Sequence, residues 1–391
     1  MDFPQGYSQT KMEEIAGDLQ AVPGRTETYP DIILILNETF YDLSIYTDLE
    51  TDEPYLVNYN TLKNAIKGYA LSPSSMGGTN DAEFELLTGH SSLLFHKRAP
   101  FTLPVSFDGV NSVARYLKAL GYTAQAAHPC DELNYNRQTV YPELGFETAR
   151  FYDEFTEHET YGNRIETDSA NYEELIRWYE EAGDAPRYLY LLTYQNHGGY
   201  EQNDSELDTV HVKGDAGDVT EQVNEYLTSI KMSDEALGEL LQYFDSIERP
   251  VIVCMVGDHS PGFLSQLREK DWMTETEKDI LSREIPFLIW ANAAFGEIPA
   301  EQDGILGMTD LMAQVFDTAG LPLSPYYNHL VELSRSVPVR VMGECYRAED
   351  GADGVLEHLG ESKEERIHLY LGYADLTDES GRWDFLFAPP G

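Results

Sequence analysis

The stretch that decides the fold reads Val251-Ile252-Val253-Cys254-Met255-Val256-Gly257-Asp258-His259-Ser260. Its first six residues form a continuous apolar run, the pattern of a strand that is covered on both faces. A carboxylate and an imidazole follow at the carboxyl end of that strand, where open α/β sheets bind their ligands. Asp258 and His259 are therefore candidate metal ligands, although such a pair also occurs in ordinary turns that cap a helix.

Three more segments place polar residues where predicted elements begin or end. An apolar run at 31–37 ends on Glu38, and a predicted strand at 187–194 is followed by His197 in a glycine-bearing loop. Thr79 follows two glycines and begins a helical pattern. Taken alone, Glu38 is a solvated loop acid and Thr79 a helix N-cap. The positive potential at a helix N-terminus also stabilises an alkoxide and attracts phosphate or sulfate, so Thr79 is a candidate nucleophile as well.

Alternating strand and helix patterns predict the fold class. Strands are predicted at 31–37, 123–128, 187–194, 251–256 and 285–291, and helices at 61–68, 80–87, 110–120, 171–181, 219–244 and 309–319. This alternation indicates an α/β fold with a mostly parallel central sheet and helices on both faces. After Pro325 two more predicted strands, at 337–346 and 367–373, flank an acidic stretch at 348–364, which predicts a small C-terminal antiparallel β appendage.

Composition excludes several classes of protein. The 391 residues are 42% hydrophobic, which is enough for a large core. Sixty-nine acidic residues against 26 basic ones give a formal charge of −43, which argues against a nucleic-acid partner and against electrostatic docking on an anionic bilayer. The three cysteines, Cys130, Cys254 and Cys345, form no Cys-x-x-Cys pair, which excludes a disulfide scaffold or a zinc ribbon. A nucleophilic Cys130 near His128 is an alternative to Thr79.

Several motifs together resemble a known family. Glu38 after the first strand, Thr79 in Gly-Thr-Asn-Asp-Ala-Glu-Phe, Asn196-His197 and Gly257-Asp258-His259-Ser260 occur in the order found in the extracellular catalytic domain of lipoteichoic acid synthases and related phosphoglycerol transferases. That family belongs to the alkaline phosphatase and sulfatase superfamily. The resemblance runs from about residue 30 to about residue 327. It includes His128 followed by an aromatic-Asn-Arg element, Tyr135-Asn136-Arg137.

The resemblance implies roles for the matched residues. The implied ligands of one divalent ion are Glu38, Thr79, Asp258 and His259, with Thr79 also the nucleophile. The implied contacts to the substrate phosphate and glycerol are His128, Tyr135, Arg137 and His197. Mn²⁺ or Mg²⁺ is favoured by the oxygen-rich set, with Zn²⁺ as an alternative.

Two departures from related patterns refine the expected function. Tyr135 stands where the family commonly has Trp, which keeps a stacking surface but changes its reach. The segment Leu71-Ser72-Pro73-Ser74-Ser75-Met76 has no arginine, so it lacks the motif that formylglycine sulfatases need. We therefore expect a phosphotransferase and not a formylglycine sulfatase.

The implied reaction moves glycerol phosphate from phosphatidylglycerol to an acceptor hydroxyl, in lipoteichoic acid or another cell-envelope glycan, through a covalent intermediate on Thr79. A threonine hydroxyl is a poor nucleophile at neutral pH, and coordination to a divalent ion is the simplest way to activate it. Three alternatives stay open: a phosphodiesterase or phosphatase, a phosphoethanolamine-type transferase, and a non-catalytic module that binds head groups.

The expected organisation also follows from the resemblance. We expect a linker at 1–29, a sulfatase-like catalytic domain at 30–328 and a small α+β subdomain at 329–391. The sequence has no apolar run of the length a membrane helix needs and no signal peptide at its start. Because family members carry N-terminal membrane helices, we expect a soluble fragment of a protein anchored on the extracellular face of the bacterial cytoplasmic membrane. A full-length soluble relative is the alternative.

Overall fold

The computed structural model describes all residues except 2, 96–98, 157, 163, 182, 201–204, 300–303, 338, 342–343, 349–355, 361, 379 and 391. The strands are β1 Asp31–Asn37, β2 Ala65–Leu71, β3 Thr123–Ala127, β4 Thr148–Arg150, β5 Thr160–Tyr161, β6 Arg164–Ile165, β7 Arg187–Leu192, β8 Val251–Gly257, β9 Glu284–Ala291, β10 Gly304–Gly307, β11 Val339–Val341, β12 Glu344–Ala348 and β13 Leu356–Gly360. The helices are α1 Gln9–Asp18, α2 Val57–Thr61, α3 Thr79–Thr88, α4 Val113–Ala119, α5 Arg137–Glu143, α6 Asp168–Glu181, α7 Thr220–Asp245, α8 Glu275–Leu281, α9 Leu311–Thr318, α10 Pro325–Ser336, α11 Lys363–Thr377 and α12 Asp384–Phe387.

An eight-stranded sheet forms the centre of the molecule, in the order β10-β2-β9-β8-β1-β7-β3-β4. Within the ranges given above, β9 is the one strand of this sheet that runs antiparallel to its neighbours, β2 and β8. The other pairings are parallel. Helices surround the sheet, so the predicted α/β fold with a mostly parallel sheet is confirmed.

The two central strands, β1 and β8, are the apolar runs identified in the sequence. Every residue of β1 and every residue of β8 is buried, because β7 and β9 flank them in the sheet and other elements cover both faces. Their parallel register pairs Asp31 with Val251 and Asn37 with Gly257. The residues that follow β1 and β8 therefore emerge side by side at one edge of the sheet.

One predicted helix is wrong. Residues 61–68 were expected to be helical, but α2 ends at Thr61 and β2 begins at Ala65. Pairing with β9 and β10 overrides the local helical pattern. Gly68 permits this pairing, because a Cβ there would lie 2.1 Å from the carbonyl oxygen of Gly304 on β10.

The C-terminal appendage is partly as predicted. A three-stranded antiparallel sheet, β11-β12-β13, is present, and β13 lies in the acidic stretch 348–364 that separates the two predicted strands. The strand expected at 367–373 is wrong, because these residues lie within α11. Ser362 caps that helix by accepting a hydrogen bond from Glu365 N, and burial falls on His368, Leu371 and Ala374 at helical spacing.

The helix α11 packs against the far end of α3. His368 Nε2 lies 2.7 Å from the carbonyl oxygen of Gly89, and His90 Nε2 lies 2.7 Å from Asp375 Oδ2. A carbonyl oxygen can only accept, so His368 donates the first of these bonds. These contacts hold the C-terminal end of the helix that carries Thr79 at its first residue.

The division into three parts at 1–29, 30–328 and 329–391 stays a prediction. Within 1–29 the structure has the helix α1, whose Met12 and Ile15 are buried, and α10 runs across the boundary expected at 328. Across the residues that the structure describes, we find no helix with both the length and the apolar character that a membrane span requires.

Candidate active site

Four of the side chains singled out in the sequence meet at the carboxyl edge of the parallel strands. Glu38 follows β1, Asp258 and His259 follow β8, and Thr79 is the first residue of α3, which comes after β2. All four residues are buried. The topology places them together because β1 and β8 are parallel neighbours, and β2, two positions from β8 in the sheet, runs in the same direction.

The distances define a compact cluster. Thr79 Oγ1 lies 3.4 Å from Glu38 Oε2 and 3.4 Å from His259 Nε2. His259 Nε2 lies 3.5 Å from Glu38 Oε1 and 3.3 Å from Asp258 Oδ2. Ligand atoms of Glu38, Asp258 and His259 all lie within 4.8 Å of one another, a spacing that could hold a metal ion.

Hydrogen bonds from the backbone aim these side chains at one point. Asp258 Oδ1 accepts from Thr39 N at 2.7 Å and from His259 N at 2.8 Å, whereas Asp258 Oδ2 is buried and accepts no hydrogen bond from the described residues. His259 Nδ1 lies 2.9 Å from the carbonyl oxygen of Ser260 and donates to it, which leaves Nε2 facing the carboxylates. A buried carboxylate oxygen that accepts no hydrogen bond, next to an imidazole nitrogen whose contacts in the cluster are 3.3 to 3.5 Å long, fits a divalent cation.

Residues with positive φ lie next to two of the four residues. Thr39 has φ 49°, an unusual value for a β-branched residue, and its hydroxyl donates to Glu38 Oε1 at 2.8 Å. Before Thr79, Gly78 has φ 104°, and a Cβ there would lie 2.5 Å from Ser74 Oγ. Strain such as that of Thr39 persists where the surrounding structure imposes it, and it clusters at functional sites, whereas glycine adopts the conformation of Gly78 without strain.

The electrostatics of the cluster call for positive charge. Burial, and then the neighbouring Asp258 charge, raise the pKa of Glu38 to about 7, although His259 acts in the opposite direction. Burial opposes protonation of His259, but the charges of Asp258 and Glu38 outweigh it, so the pKa of His259 is raised. The negative charges of the two buried carboxylates thus raise the pKa of neighbouring groups. A bound divalent cation would neutralise these charges.

Arg137 lies beside this cluster with one nitrogen unpaired. Its side chain is 1% exposed and forms an ion pair with the buried Glu83, with Arg137 Nε 3.0 Å and Nη2 2.9 Å from Glu83 Oε2. Arg137 Nη1 is buried and has no hydrogen-bond partner in the described part of the chain. The charge of Arg137 reaches the cluster, because it lowers the pKa of Glu38 and of His128. The donor set at Nη1 is suited to a phosphate oxygen.

His128 and Tyr135 lie on the same side of the site as Arg137. Burial, and then the charge of Arg137, hold the pKa of His128 well below its usual range, so the ring is neutral. His128 Nδ1 lies 3.1 Å from the carbonyl oxygen of Leu192 and donates to it, which makes Nε2 an acceptor. The Arg137 guanidinium lies 5.1 Å from the centre of the Tyr135 ring. The backbone of Tyr135 has a positive φ of 50°.

His197 is the most exposed of the residues named in the sequence. It follows β7, its ring stacks on Tyr194 with centroids 4.8 Å apart, and its charge affects the pKa of His128. The structure thus brings the eight predicted residues to one edge of the sheet, while their roles as ligands and substrate contacts stay predictions. Cys130, the alternative nucleophile, accepts a hydrogen bond from Asn134 Nδ2 at 3.3 Å.

Sequence reasoning missed Glu83 and Ser72. Glu83 lies four residues after Thr79 on α3, so helical spacing could have placed both on one face of the helix. Ser72, which lies in the segment that lacks the sulfatase motif, donates its hydroxyl hydrogen to the carbonyl oxygen of Asp258 at 2.5 Å. Nothing in the local sequence signals that contact, because Ser72 and Asp258 are 186 residues apart.

These features define a class of protein. The chain belongs to the sulfatase family, whose model matches residues 30–321. The resemblance to lipoteichoic acid synthases and phosphoglycerol transferases is confirmed at the level of the fold. The Streptococcus pyogenes phosphoglycerol transferase GacH, solved in complex with sn-glycerol-1-phosphate, is similar with a TM-score of 0.73 and 20% identity over 99% of each chain. The Listeria monocytogenes lipoteichoic acid synthase LtaP is similar with a TM-score of 0.64 and 16% identity, covering 95% of this chain and 99% of LtaP.

Among curated sequences, the chain is similar to a Rhizobium meliloti protein named for cyclic beta-1,2-glucan modification. The two are 26% identical over 364 residues, which is 88% of this chain and 55% of that protein. A capsular polysaccharide biosynthesis protein of the same organism, RkpI, is 27% identical over 246 residues, which is 60% of this chain and 42% of RkpI. The chain spans about half the length of the curated relatives that it matches.

Proposed function

We propose that this chain is the catalytic domain of a metal-dependent phosphoglycerol transferase. It would take glycerol phosphate from phosphatidylglycerol and pass it to an acceptor hydroxyl on a cell-envelope glycan. Thr79 would be the nucleophile, and Glu38, Asp258 and His259 would hold one divalent ion together with the Thr79 hydroxyl. Mn²⁺ or Mg²⁺ suits three oxygen donors and one nitrogen, and Zn²⁺ is the alternative.

One observation carries the proposal. The hydroxyl of Thr79 lies at a helix N-terminus, 3.4 Å from both Glu38 Oε2 and His259 Nε2. A threonine that merely capped its helix would be the residue before the first turn, but that place is taken by Gly78. A buried hydroxyl directed at a carboxylate and an imidazole is instead the arrangement of an activated nucleophile.

The chain's own residues divide the work of the reaction. In the first step Thr79 gives up its hydroxyl proton and the bond from Thr79 Oγ1 to phosphorus forms while the bond to the diacylglycerol oxygen breaks. That oxygen gains one proton and diacylglycerol leaves. In the second step the acceptor hydroxyl loses its proton and bonds to phosphorus, the bond from phosphorus to Thr79 Oγ1 breaks, and Thr79 regains a proton. The bound ion would lower the pKa of the Thr79 hydroxyl and offset negative charge on the phosphoryl oxygens.

The basic side of the site would bind the substrate. Arg137 Nη1 would donate to a phosphate oxygen, because it is buried and unpartnered in the described structure. Neutral His128, with Nε2 as an acceptor, would receive a hydrogen bond from a glycerol hydroxyl. Tyr135 and His197 would enclose the head group from the solvent side, where His197 is exposed.

The setting of the reaction is also part of the proposal. GacH is described in complex with sn-glycerol-1-phosphate, and two curated relatives are named for glucan modification and capsular polysaccharide biosynthesis. These names support a glycerol phosphate donor and a glycan acceptor. We infer a location on the extracellular face of the bacterial cytoplasmic membrane, with the chain held there by an N-terminal membrane anchor, because a formal net charge of −43 does not favour docking on an anionic bilayer.

Turnover of phosphatidylglycerol by matched Thr79 variants tests the proposal. Thr79→Ala should abolish release of diacylglycerol, whereas Thr79→Ser keeps a hydroxyl and should retain measurable activity. Diacylglycerol is measured with each of Mn²⁺, Mg²⁺ and Zn²⁺ added. Parental turnover by Thr79→Ala would refute the proposed mechanism.

A hydrolase of the same family would use the same residues and hand the phosphoryl group to water. Adding a glycan acceptor to the parental protein separates the two reactions. The transferase proposal predicts faster release of diacylglycerol with no increase in free glycerol phosphate. Free glycerol phosphate produced in step with diacylglycerol, whatever the acceptor concentration, would identify a phosphodiesterase.

A further inference from the structure

We infer that Glu83 is a positioning residue that fixes Arg137 in the orientation needed to bind the substrate anion. This inference rests on the proposed function, because it assigns Glu83 a role through Arg137. It concerns a residue that contacts neither the proposed metal ligands nor the proposed substrate in the hydrogen bonds described above.

The carboxylate of Glu83 is saturated by donors from three residues on two other elements, α5 and β7. Glu83 Oε2 accepts from Arg137 Nε at 3.0 Å and lies 2.9 Å from Arg137 Nη2. Glu83 Oε1 accepts from the hydroxyls of Tyr141 at 2.6 Å and Tyr190 at 3.0 Å. Glu83 is 0% exposed and Arg137 is 1% exposed, so neither side chain can satisfy its charge with bulk water.

The geometry of the guanidinium explains what this pairing achieves. Glu83 occupies the Nε and Nη2 side of Arg137, and the two tyrosines stop Glu83 from rotating away. Because the guanidinium is planar and rigid, fixing one side also fixes the direction of Nη1. Arg137 Nη1 is the nitrogen that is left buried without a partner in the described structure, so it is oriented before any anion arrives.

The same helix carries the nucleophile and the residue that anchors Arg137. Thr79 and Glu83 are four residues apart on α3, and side chains at this spacing lie on one face of a helix. The rigid helix therefore sets the distance between the Thr79 hydroxyl and the carboxylate that holds Arg137. Burial opposes the charge on Arg137, but Glu83 outweighs it and raises the pKa of Arg137, so the guanidinium stays charged.

The test compares Glu83→Gln with Glu85→Gln, a matched control. Glu85 is also buried and lies on the same helix, but it accepts a hydrogen bond from Ser92 N and has no contact with Arg137 among those described. We measure affinity for sn-glycerol-1-phosphate by calorimetry and turnover of phosphatidylglycerol. Glu83→Gln should lower the affinity about 10-fold, because the guanidinium must be ordered on binding. It should lower kcat/KM about 100-fold through misplacement of Nη1. Glu85→Gln should match the parent in both.

A double variant separates positioning from a general structural role. In an Arg137→Ala background, Glu83→Gln should cause no further loss, because the group it positions is absent. Tyr190→Phe, which removes a single hydrogen bond to Glu83, should give a smaller loss of the same kind and is available if Glu83→Gln does not fold.

The outcomes distinguish the inference from the proposed function. If Arg137→Ala impairs sn-glycerol-1-phosphate binding while folded Glu83→Gln and Tyr190→Phe both bind and turn over like the parent, the inference is overturned and the proposed function stands. If binding depends on Arg137 and Glu83 but no glycerol phosphate is transferred, the inference stands and the transferase proposal fails. If Arg137→Ala leaves binding and turnover unchanged, the inference is overturned together with the proposed role of Arg137 in substrate binding, while transfer through Thr79 stands.

Discussion

Asp31 and Asp258 lie at opposite ends of the central parallel strands and differ in how many hydrogen bonds their carboxylates accept. Both are 0% exposed, and they stand at the start of β1 and just after the end of β8. Asp31 Oδ1 accepts from the backbone nitrogen of Arg187 and from Arg249 Nη2, and Asp31 Oδ2 accepts from Tyr179, Arg187 and Arg249. Asp258 Oδ2 accepts no hydrogen bond from the described residues.

This difference separates a structural carboxylate from a candidate functional one. Burial alone does not mark a site, because both residues are fully buried. At the amino end of the strands, Arg187 and Arg249 donate hydrogen bonds to the Asp31 carboxylate. At the carboxyl end, the coordination shell of Asp258 is open: its Oδ2, on the side of Glu38 and His259, accepts no hydrogen bond from the described residues. Burying the carboxylates of Asp258 and Glu38 beside a single imidazole is costly, so an external cation is expected to complete the shell.

The largest expected effect comes from removing the charge at the open shell. Asp258→Asn keeps Oδ1 for the two backbone donors but puts an amide nitrogen where the ion would bind. We expect a loss of about 1000-fold in turnover, since the ion is expected to supply several kcal/mol of transition-state stabilisation. Metal binding followed by calorimetry should weaken in parallel. Parental metal affinity in Asp258→Asn would show that Asp258 is not a ligand.

Asp31→Asn should show the opposite pattern. Removing one partner of a buried ion pair leaves the other charges uncompensated, so we expect a loss of about 3–5 kcal/mol in the free energy of unfolding. The kcat of the folded fraction should be unchanged. Urea unfolding checks this, with Asp271→Asn as the control, because the side chain of Asp271 is 86% exposed and a solvent-exposed pair such as that with Arg268 contributes little to stability. Equal effects of the two variants would remove the structural role of Asp31.

The same contrast explains how much could be predicted from the sequence. The apolar runs before Glu38 and Asp258 located β1 and β8, because fully buried parallel strands carry their signal locally. The side-chain cluster followed from the parallel order of those strands. Glu83 was missed, because its partners Arg137 and Tyr190 lie 54 and 107 residues away and only the tertiary structure brings them together.

Substituting Arg137, on the basic side of the site, should lower activity by an intermediate amount. Arg137→Lys keeps a positive charge, but an ammonium cannot bond Glu83 on one side and a phosphate oxygen on the other as the planar guanidinium can. We expect the fold and metal affinity to be retained and kcat/KM on phosphatidylglycerol to fall about 100-fold, the range for loss of one oriented donor. Unchanged kinetics would make Arg137 a structural residue, like the arginines around Asp31.

A third buried acid, Glu284, makes the stability of the protein depend on pH. Glu284 begins the antiparallel strand β9, so it lies at the same edge as Asp258, and burial raises its pKa from 4.5 to about 7. Because the folded pKa is above the unfolded one, the parent should lose stability as the pH rises from about 4.5 through about 7.

The variant Glu284→Gln should remove that loss. It should be more stable than the parent by about 2–3 kcal/mol at pH 8 and about equal to it at pH 4, with turnover retained. Thermal unfolding across this pH range is the measurement. A stability difference that does not change with pH would mean that Glu284 does not titrate as its burial requires.

The central claim is that Thr79 carries the phosphoryl group during turnover. The direct measurement is mass spectrometry of peptides from protein that is quenched with acid during turnover of phosphatidylglycerol in the presence of Mn²⁺. We predict a glycerophosphoryl adduct on Thr79 in the parent and on the serine of Thr79→Ser, with none on Thr79→Ala. An adduct on another residue, or turnover with no adduct at Thr79, would contradict the account.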